Sequence, residues 1–319
     1  MNSELPPRVK VALYGLMCVL LVPFVFPTWW MVTSSLKPIS EIFVFPPQLF
    51  PAHPDWSSYA QVFSIQPFAR QYWNSAYIAV MVTVGTLAVS SMAGYAFARI
   101  RFPGADALFV VVLTGLLIPS EVTIVPLFQL FLKLGLVNTH WPLLLIPVFG
   151  APSVFATFVM RQFFITLPAE LEEAARVDGL GRFKIFRTIA LPLARPALAS
   201  VAIFTFLHSW NLYLEPIVFL STPGMFTLPQ ALTQYTDAYG GPMWNIQLAA
   251  ATLTALPVLA VMMAIERIGP AMAAQTGMVG PMSTILMGVL LLGEPFTAWI
   301  AAGTVLVIAG IFVFTRMGR

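Results

Sequence analysis

The stretch ELEEAARVDGLGRFKIFRTIALPLAR, residues 170–195, is the one strongly polar segment set between long apolar runs. Pro168, just ahead of it, suits the first turn of a helix, because the N–H it lacks would be unpaired there. Glu170, Glu172 and Glu173 crowd that turn and complement the positive helix end. Glu172 and Arg176 stand four apart in the favourable order. Leu171, Ala174 and Ala175 share a face, and the two alanines leave room for another surface to approach closely. Gly179 follows Asp178 where a left-handed helix stop is wanted. A second amphipathic turn carries Phe183, Phe186 and Ile189, and Pro192 is expected to end it. The segment reads as a helix, a glycine stop and a second short helix.

Composition sets the surroundings of this knob. The chain of 319 residues is 59% hydrophobic and only 9% charged, with a mean hydropathy of +0.85. Soluble domains carry roughly 25% charged residues, so this is an integral membrane protein. A net charge of +3 and a pI near 9.1 fit basic residues gathered in cytoplasmic loops better than a nucleic-acid partner. Cys18, the single cysteine, excludes an internal disulfide and a cysteine metal site.

The first apolar run, 11–36, is too long for a signal-peptide core and has no small-residue cleavage site after it, so it is expected to stay as a span. Further spans of about 20 residues are expected at 74–98, 105–127, 141–162, 196–220, 246–265, 270–292 and 296–315. That gives an all-α, polytopic membrane bundle of eight spans, with both termini on one side. Placing the termini in the cytoplasm puts thirteen of the 16 Lys and Arg residues inside and leaves Lys37, Arg70 and Lys133 outside. This is the asymmetry of the positive-inside rule, and it makes the knob cytoplasmic. With no Gly-x-x-x-x-Gly-Lys-Ser/Thr loop of its own, such a protein is expected to draw energy from a partner that grips the knob. His53, His140 and His208 are isolated and fall in no hydrolytic or metal-binding motif, so no enzyme activity is expected.

Glu173, Ala174, Ala175, Gly179, Ile189, Leu191 and Pro192, fixed over 20 positions, are a far more specific pattern than a bare Glu-Ala-Ala. On that pattern residues 11–262 resemble the binding-protein-dependent sugar-type ABC importer permeases, of the maltose and glycerol-phosphate class. Residues 118–127 (IPSEVTIVPL), 133–139 (KLGLVNT), 161–164 (RQFF) and Trp210-Asn211 resemble the same family. The resemblance implies a six-span core paired with a second permease subunit. It implies two ATPase subunits that bind ATP and magnesium, each holding a knob in a groove, and a soluble binding protein that delivers solute from outside. No cofactor belongs to this chain itself. The coupling residues it implies are Glu173, Ala174, Ala175, Asp178, Gly179, Ile189, Leu191 and Pro192. A partner of this kind must bind the inward- and outward-facing states with different free energies, and the knob is where that difference would enter.

The longest outer segment, 37–73, interleaves six prolines with Phe43, Phe45, Phe50, Trp56 and Tyr59. It reads either as a docking surface for the binding protein or as a loop anchored on lipid headgroups, and 222–244 carries the same two readings. Two carboxylates fall within expected spans, where an ionisable residue marks a functional site by default. Glu121 lies 15 residues after Asp106, about 22 Å up a straight helix, between Pro119 and Pro126. Glu215 lies 19 residues after Pro196, roughly 28 Å up. Trp210, Asn211 and Tyr213 just below it could stack on and hydrogen-bond a sugar or polyol. The two glutamates disfavour an anionic solute.

Residues 266–319 depart from the six-span pattern. The run GPMSTILMGVLLLGEP, residues 280–295, resembles the ninth-helix region of drug/metabolite (EamA-type) carriers, and 298–316 resembles their final helix. Small residues Gly277, Gly280, Ser283, Gly288, Gly303 and Gly310 would allow close helix contact. Three function classes follow: an energy-coupled importer subunit, a gradient-driven carrier, and a non-transporting fusion product.

Overall fold

Inside hydrocarbon a chain must satisfy its backbone polar groups internally, so long apolar runs become helices. The computed structural model describes residues 7–268, and among them helices account for nearly all regular structure, with a single isolated bridge between Thr236 and Pro242. The expected spans at 270–292 and 296–315 lie outside the described residues. In chain order the helices begin with α1 (Pro7–Ser34), α2 (Ile39–Ile42), α3 (Ser57–Ile65), α4 (Phe68–Arg99) and α5 (Ala105–Thr114). Then come α6 (Ser120–Lys133), α7 (Trp141–Phe149), α8 (Ala151–Thr166) and α9 (Ala169–Val177). The rest are α10 (Arg182–Ile185), α11 (Leu191–Leu193), α12 (Arg195–Trp210), α13 (Leu214–Phe219), α14 (Leu228–Leu232) and α15 (Trp244–Ile268).

Four stretches are long and apolar enough to cross a membrane: Tyr14–Ser34, Phe68–Arg99, Trp141–Thr166 and Trp244–Val261. Two broken pairs, Ala105–Leu117 with Ser120–Lys133 and Arg182–Leu193 with Arg195–Trp210, raise the number to six if each pair is one span. Two expectations need correction here. The run 105–127 is no single helix: it stops at Leu117 and restarts at Ser120, because Pro119 has no N–H to give and disfavours helical geometry in the residue before it. The run 196–220 is not continuous either, since α12 ends at Trp210 and α13 starts at Leu214. Heights for Glu121 and Glu215 counted along straight helices therefore do not hold.

The chain groups into two compact units. The first takes residues up to Thr83, Leu117–Gly150 and Leu207–Ala260, and its core joins Ile78, Val82, Phe131, Leu143, Phe219 and Phe226. Phe131 meets Phe219 edge-on at 5.5 Å, in the arrangement favoured by the quadrupoles of the rings. The first unit also holds the proline-rich segment 37–73. There Lys37 is wholly buried, donating to the Gln48 carbonyl at 2.7 Å and lying 4.3 Å over the Trp30 ring. Burial lowers its pKa, and the nearby Glu41 charge partly opposes that shift. Phe43, Phe45, Phe50 and Trp56 remain exposed.

The second unit takes Val84–Leu116, Ala151–Phe206 and, of the described residues after 260, those up to Ile268. Its core joins Tyr95, Ala156, Met160, Phe164, Phe186 and Val201. Here α4 crosses α8 at Gly94, where an added Cβ would sit 2.8 Å from both the Arg161 backbone nitrogen and the Met160 Cβ. Small residues at crossings let helix backbones approach this closely. The polar knob belongs to this second unit.

Candidate functional site

α9 begins after Pro168, which caps it with extended backbone (ψ 133°), and Glu170 and Glu172 stand in its first turn. The helix ends at Asp178, and Gly179 takes a left-handed conformation with φ of 78°. The Leu180 N–H donates to the Ala175 carbonyl and the Gly179 N–H to the Arg176 carbonyl, both at 3.0 Å. Those two bonds make a Schellman stop, the turn the glycine's position called for. Gly181 then caps α10.

The second half of the segment is longer than the single turn expected. α10 runs into a π-helical turn at Phe186–Ala190 and on through α11, so Pro192 lies near the start of α11 and does not end the helical run. A proline ring displaces the carbonyl four residues earlier, and widening the preceding turn relieves that clash. The stop comes after Leu193, where the chain bends by 77° into α12.

The exposure of the segment divides it in two. Ala175 and Glu172 are buried, at 4% and 6% exposure. The expected shared face of Leu171, Ala174 and Ala175 is thus split, because Ala175, one turn beyond Glu172, turns inward with it. Leu171, Glu173, Ala174, Asp178 and Gly179 stay exposed, and Val177 and Phe183 are open at 89% and 68%. Of the remaining expected residues, Ile189 and Leu191 are half-buried and Pro192 is exposed. The outcome is an anchored helix with a small, partly apolar face turned outward.

Sequence reading missed what anchors it. Arg99, the last residue of α4, donates from Nε to the Phe164 carbonyl at 3.0 Å and from its guanidinium to the Leu167 carbonyl. The same Nε lies 3.4 Å from a Glu172 carboxylate oxygen, while Arg176 lies 3.6 Å from the other. The i,i+4 pair was legible in the sequence. The partner 73 residues away carried no local signal.

The five residues expected along a solute path all fall in the first unit, but they do not form one open surface. Trp210 is 1% exposed, packs edge-on against Tyr72, and donates its indole N–H to the Thr254 carbonyl at 3.2 Å. It is a core residue and offers no stacking platform, which corrects that expectation. Glu215 is also buried, on α13, which packs on α6 and α7. Glu121, Asn211 and Tyr213 are exposed, with the Asn211 amide donating to the Leu207 carbonyl at 2.8 Å. His140, read as isolated, lies between the Tyr77 hydroxyl and the Met225 carbonyl, the latter 2.7 Å from Nε2. Asn138, in left-handed backbone, accepts the N–H groups of Ser221 and Thr222 at 3.0 and 3.1 Å. Among the described residues, no cluster of three or more His, Cys, Asp or Glu could hold a metal ion.

Comparison with known proteins decides the family. Residues 86–274, a span that includes the whole knob, match the model of the binding-protein-dependent transport system inner membrane component. This chain belongs to that family. It is 37% identical over 253 residues to the arabinooligosaccharides transport system permease protein AraQ of Halalkalibacterium halodurans, covering 76% of this chain and 87% of that protein. It is 34% identical over 249 residues to the sn-glycerol-3-phosphate transport system permease protein UgpE of Yersinia enterocolitica, covering 76% and 88%. Its fold matches a chain in the crystal structure of a bacterial ABC transporter involved in the import of the acidic polysaccharide alginate, with a TM-score of 0.71. That match covers 83% of this chain and 99% of the other at 20% identity. The permease is therefore an inner-membrane subunit of an ABC importer and a transport component with no enzyme chemistry of its own, as the knob suggested. Membership also brings ATPase subunits and a solute-binding protein as its partners.

Proposed function

We infer that this permease moves a neutral sugar, oligosaccharide or polyol into the cell by alternating access, with α9 as the contact through which a separate ATPase subunit drives it. One observation carries the reading: α9 is pinned along Glu172 and Ala175 while Leu171, Ala174, Val177 and Phe183 stand uncovered beside a glycine stop. A short helix with one anchored face and one small apolar face is what a groove on another protein can grip. In this reading Glu173, Ala174, Asp178 and Gly179 touch the ATPase, and Ile189, Leu191 and Pro192 hold the return helix beneath them. ATP and magnesium are bound by that ATPase.

The architecture completes the reading. Counting each broken pair as one span gives six spans before residue 269, with both termini in the cytoplasm as the basic residues require. The second half of the pathway comes from another permease subunit. The exposed aromatics Phe43, Phe45, Phe50 and Trp56 form the outer surface that meets the binding protein. Relatives are named for both neutral and anionic cargo, so residues must discriminate. Burial, with the Glu121 charge acting the same way, raises the pKa of Glu215, and the exposed Glu121 carboxylate of the same unit disfavours an anion, which supports an uncharged solute.

The test has two arms. The native chain should co-purify with its ATPase subunit from detergent, and Gly179→Asp should lose it, because the substitution puts negative charge at the negative helix end and on the contact face. Gly179→Asn, which tolerates the left-handed backbone there, should keep most of the association. In proteoliposomes with binding protein and ATP, arabinooligosaccharides should be taken up and sn-glycerol-3-phosphate should not. Full association by Gly179→Asp would remove α9 as the contact; uptake of the phosphate ester alone would remove the neutral solute.

A further inference from the structure

Arg99 ties together three elements that the sequence keeps apart. It ends α4, its guanidinium holds the carbonyls of Phe164 and Leu167 at the end of α8, and it faces the Glu172 carboxylate in the first turn of α9. The two side chains are only 13% and 7% exposed, so this ion pair is shielded from water. The Glu172 oxygen nearest Arg99 lies 3.4 Å from its Nε, so charge attraction acts across that gap. Arg176, on the other oxygen, is half exposed and belongs to α9 itself, so it adds no link to another element. The Tyr95 hydroxyl, one turn before Arg99 on α4, lies against the same carboxylate.

A shielded pair of this kind is a poor source of stability, because the cost of removing both charges from water offsets most of their attraction. Apolar side chains would hold α9 as well. A charge pair differs in being directional and in tying one position of one helix to one position of another. It also lies just behind the exposed face of α9, between that face and the two long helices.

We propose that the Arg99–Glu172 pair is the joint that passes displacement of α9 into α4 and α8, so that both are positioning residues for energy coupling and neither contacts the ATPase. This rests on the reading that α9 is gripped by the ATPase. When the ATPase draws α9, Glu172 draws Arg99, and Arg99 carries the end of α4 together with the end of α8. Without the carboxylate, α9 keeps its buried Ala175 and the two-residue link Leu167-Pro168 to α8 but loses its charge tie to α4, and its movement is absorbed in the link.

The experiment uses the complete importer in proteoliposomes: this chain, its partner permease, the ATPase subunits and the solute-loaded binding protein. Two quantities are read, retention of the ATPase on purification and stimulation of ATP hydrolysis by the binding protein. Glu172→Gln should retain the ATPase and lose stimulation by a factor of about 5 to 150, the range of coupling between two sites. Stimulation equal to the native complex would overturn the proposal. If Glu172→Gln itself loses the ATPase because Arg99 is left as a lone buried charge, the double variant Arg99→Gln with Glu172→Gln decides. Assembly regained without stimulation supports a joint. Assembly and stimulation both regained, or neither, make the pair structural and overturn it. Gly179→Asp is run alongside: if it keeps the ATPase, the α9 contact itself is wrong and the joint falls with it, whatever Glu172→Gln shows.

Discussion

At the scale of single residues, His140 shows how a group without a motif can still govern behaviour. Its ring lies between the Tyr77 hydroxyl and the Met225 carbonyl, within the first unit. Burial holds its pKa below the ordinary value near 6.5, and the Arg70 charge pushes the same way. The Met225 carbonyl, accepting from Nε2, pulls part of that back. The folded ring therefore takes a proton less readily than the unfolded chain does. Stability from this group is full above pH 6.5 and is lost as pH falls through that value toward the folded pKa. Thermal unfolding of the purified permease in detergent should be flat from pH 8 to about 7 and decline below about 6.5. His140→Gln should lower the midpoint at pH 8, where the ring's contacts are missing, and should flatten the acid decline. An equally steep decline in the variant would show that other groups cause it. The sequence offered none of this, since Tyr77 and Met225 lie 63 and 85 residues from His140.

At the scale of elements, what could be read early was whatever depends on neighbours along the chain. The apolar runs at 74–98 and 246–265 announced α4 and α15, and Gly179 announced the stop of α9, because hydropathy and backbone freedom are local properties. Where the reading failed, a contact or a proline had redirected an element. Pro119 divided 105–127, the π-helical turn carried the helix past Pro192, and Trp210 went into the core because Tyr72 and the Thr254 carbonyl were there to receive it. Gly94 was passed over for the same reason, since nothing nearby in sequence marks a helix crossing. An added Cβ there would strike the backbone of Arg161 and the Cβ of Met160 at 2.8 Å, neither of which can swing away. Gly94→Ala should destabilise the second unit by about 1–3 kcal/mol, the usual range for overpacking, although alanine is the better helix former. Gly115→Ala, where the nearest atom is a Val154 methyl at 3.8 Å, is the matched control and should be close to neutral in thermal unfolding. A neutral Gly94→Ala would mean that α4 and α8 part more easily than their packing implies.

At the scale of the molecule, the features proposed to couple and carry transport all precede residue 269. The knob, the Arg99 clasp, the outer aromatics and all six candidate crossings fall between residues 7 and 268, and the family match ends at 274. The relatives are matched over 87–88% of their own length by 76% of this chain, so most of a relative's length is accounted for by part of this chain. A chain ending after residue 274 should therefore insert, retain its ATPase subunit and take up solute at a rate within about twofold of the full chain in the same proteoliposomes, a change of under half a kcal/mol in the rate-limiting barrier. Loss of ATPase retention together with uptake would make the tail part of the assembly. Uptake by the full chain that persists without ATP, and disappears on truncation, would instead give the tail a gradient-driven pathway of its own.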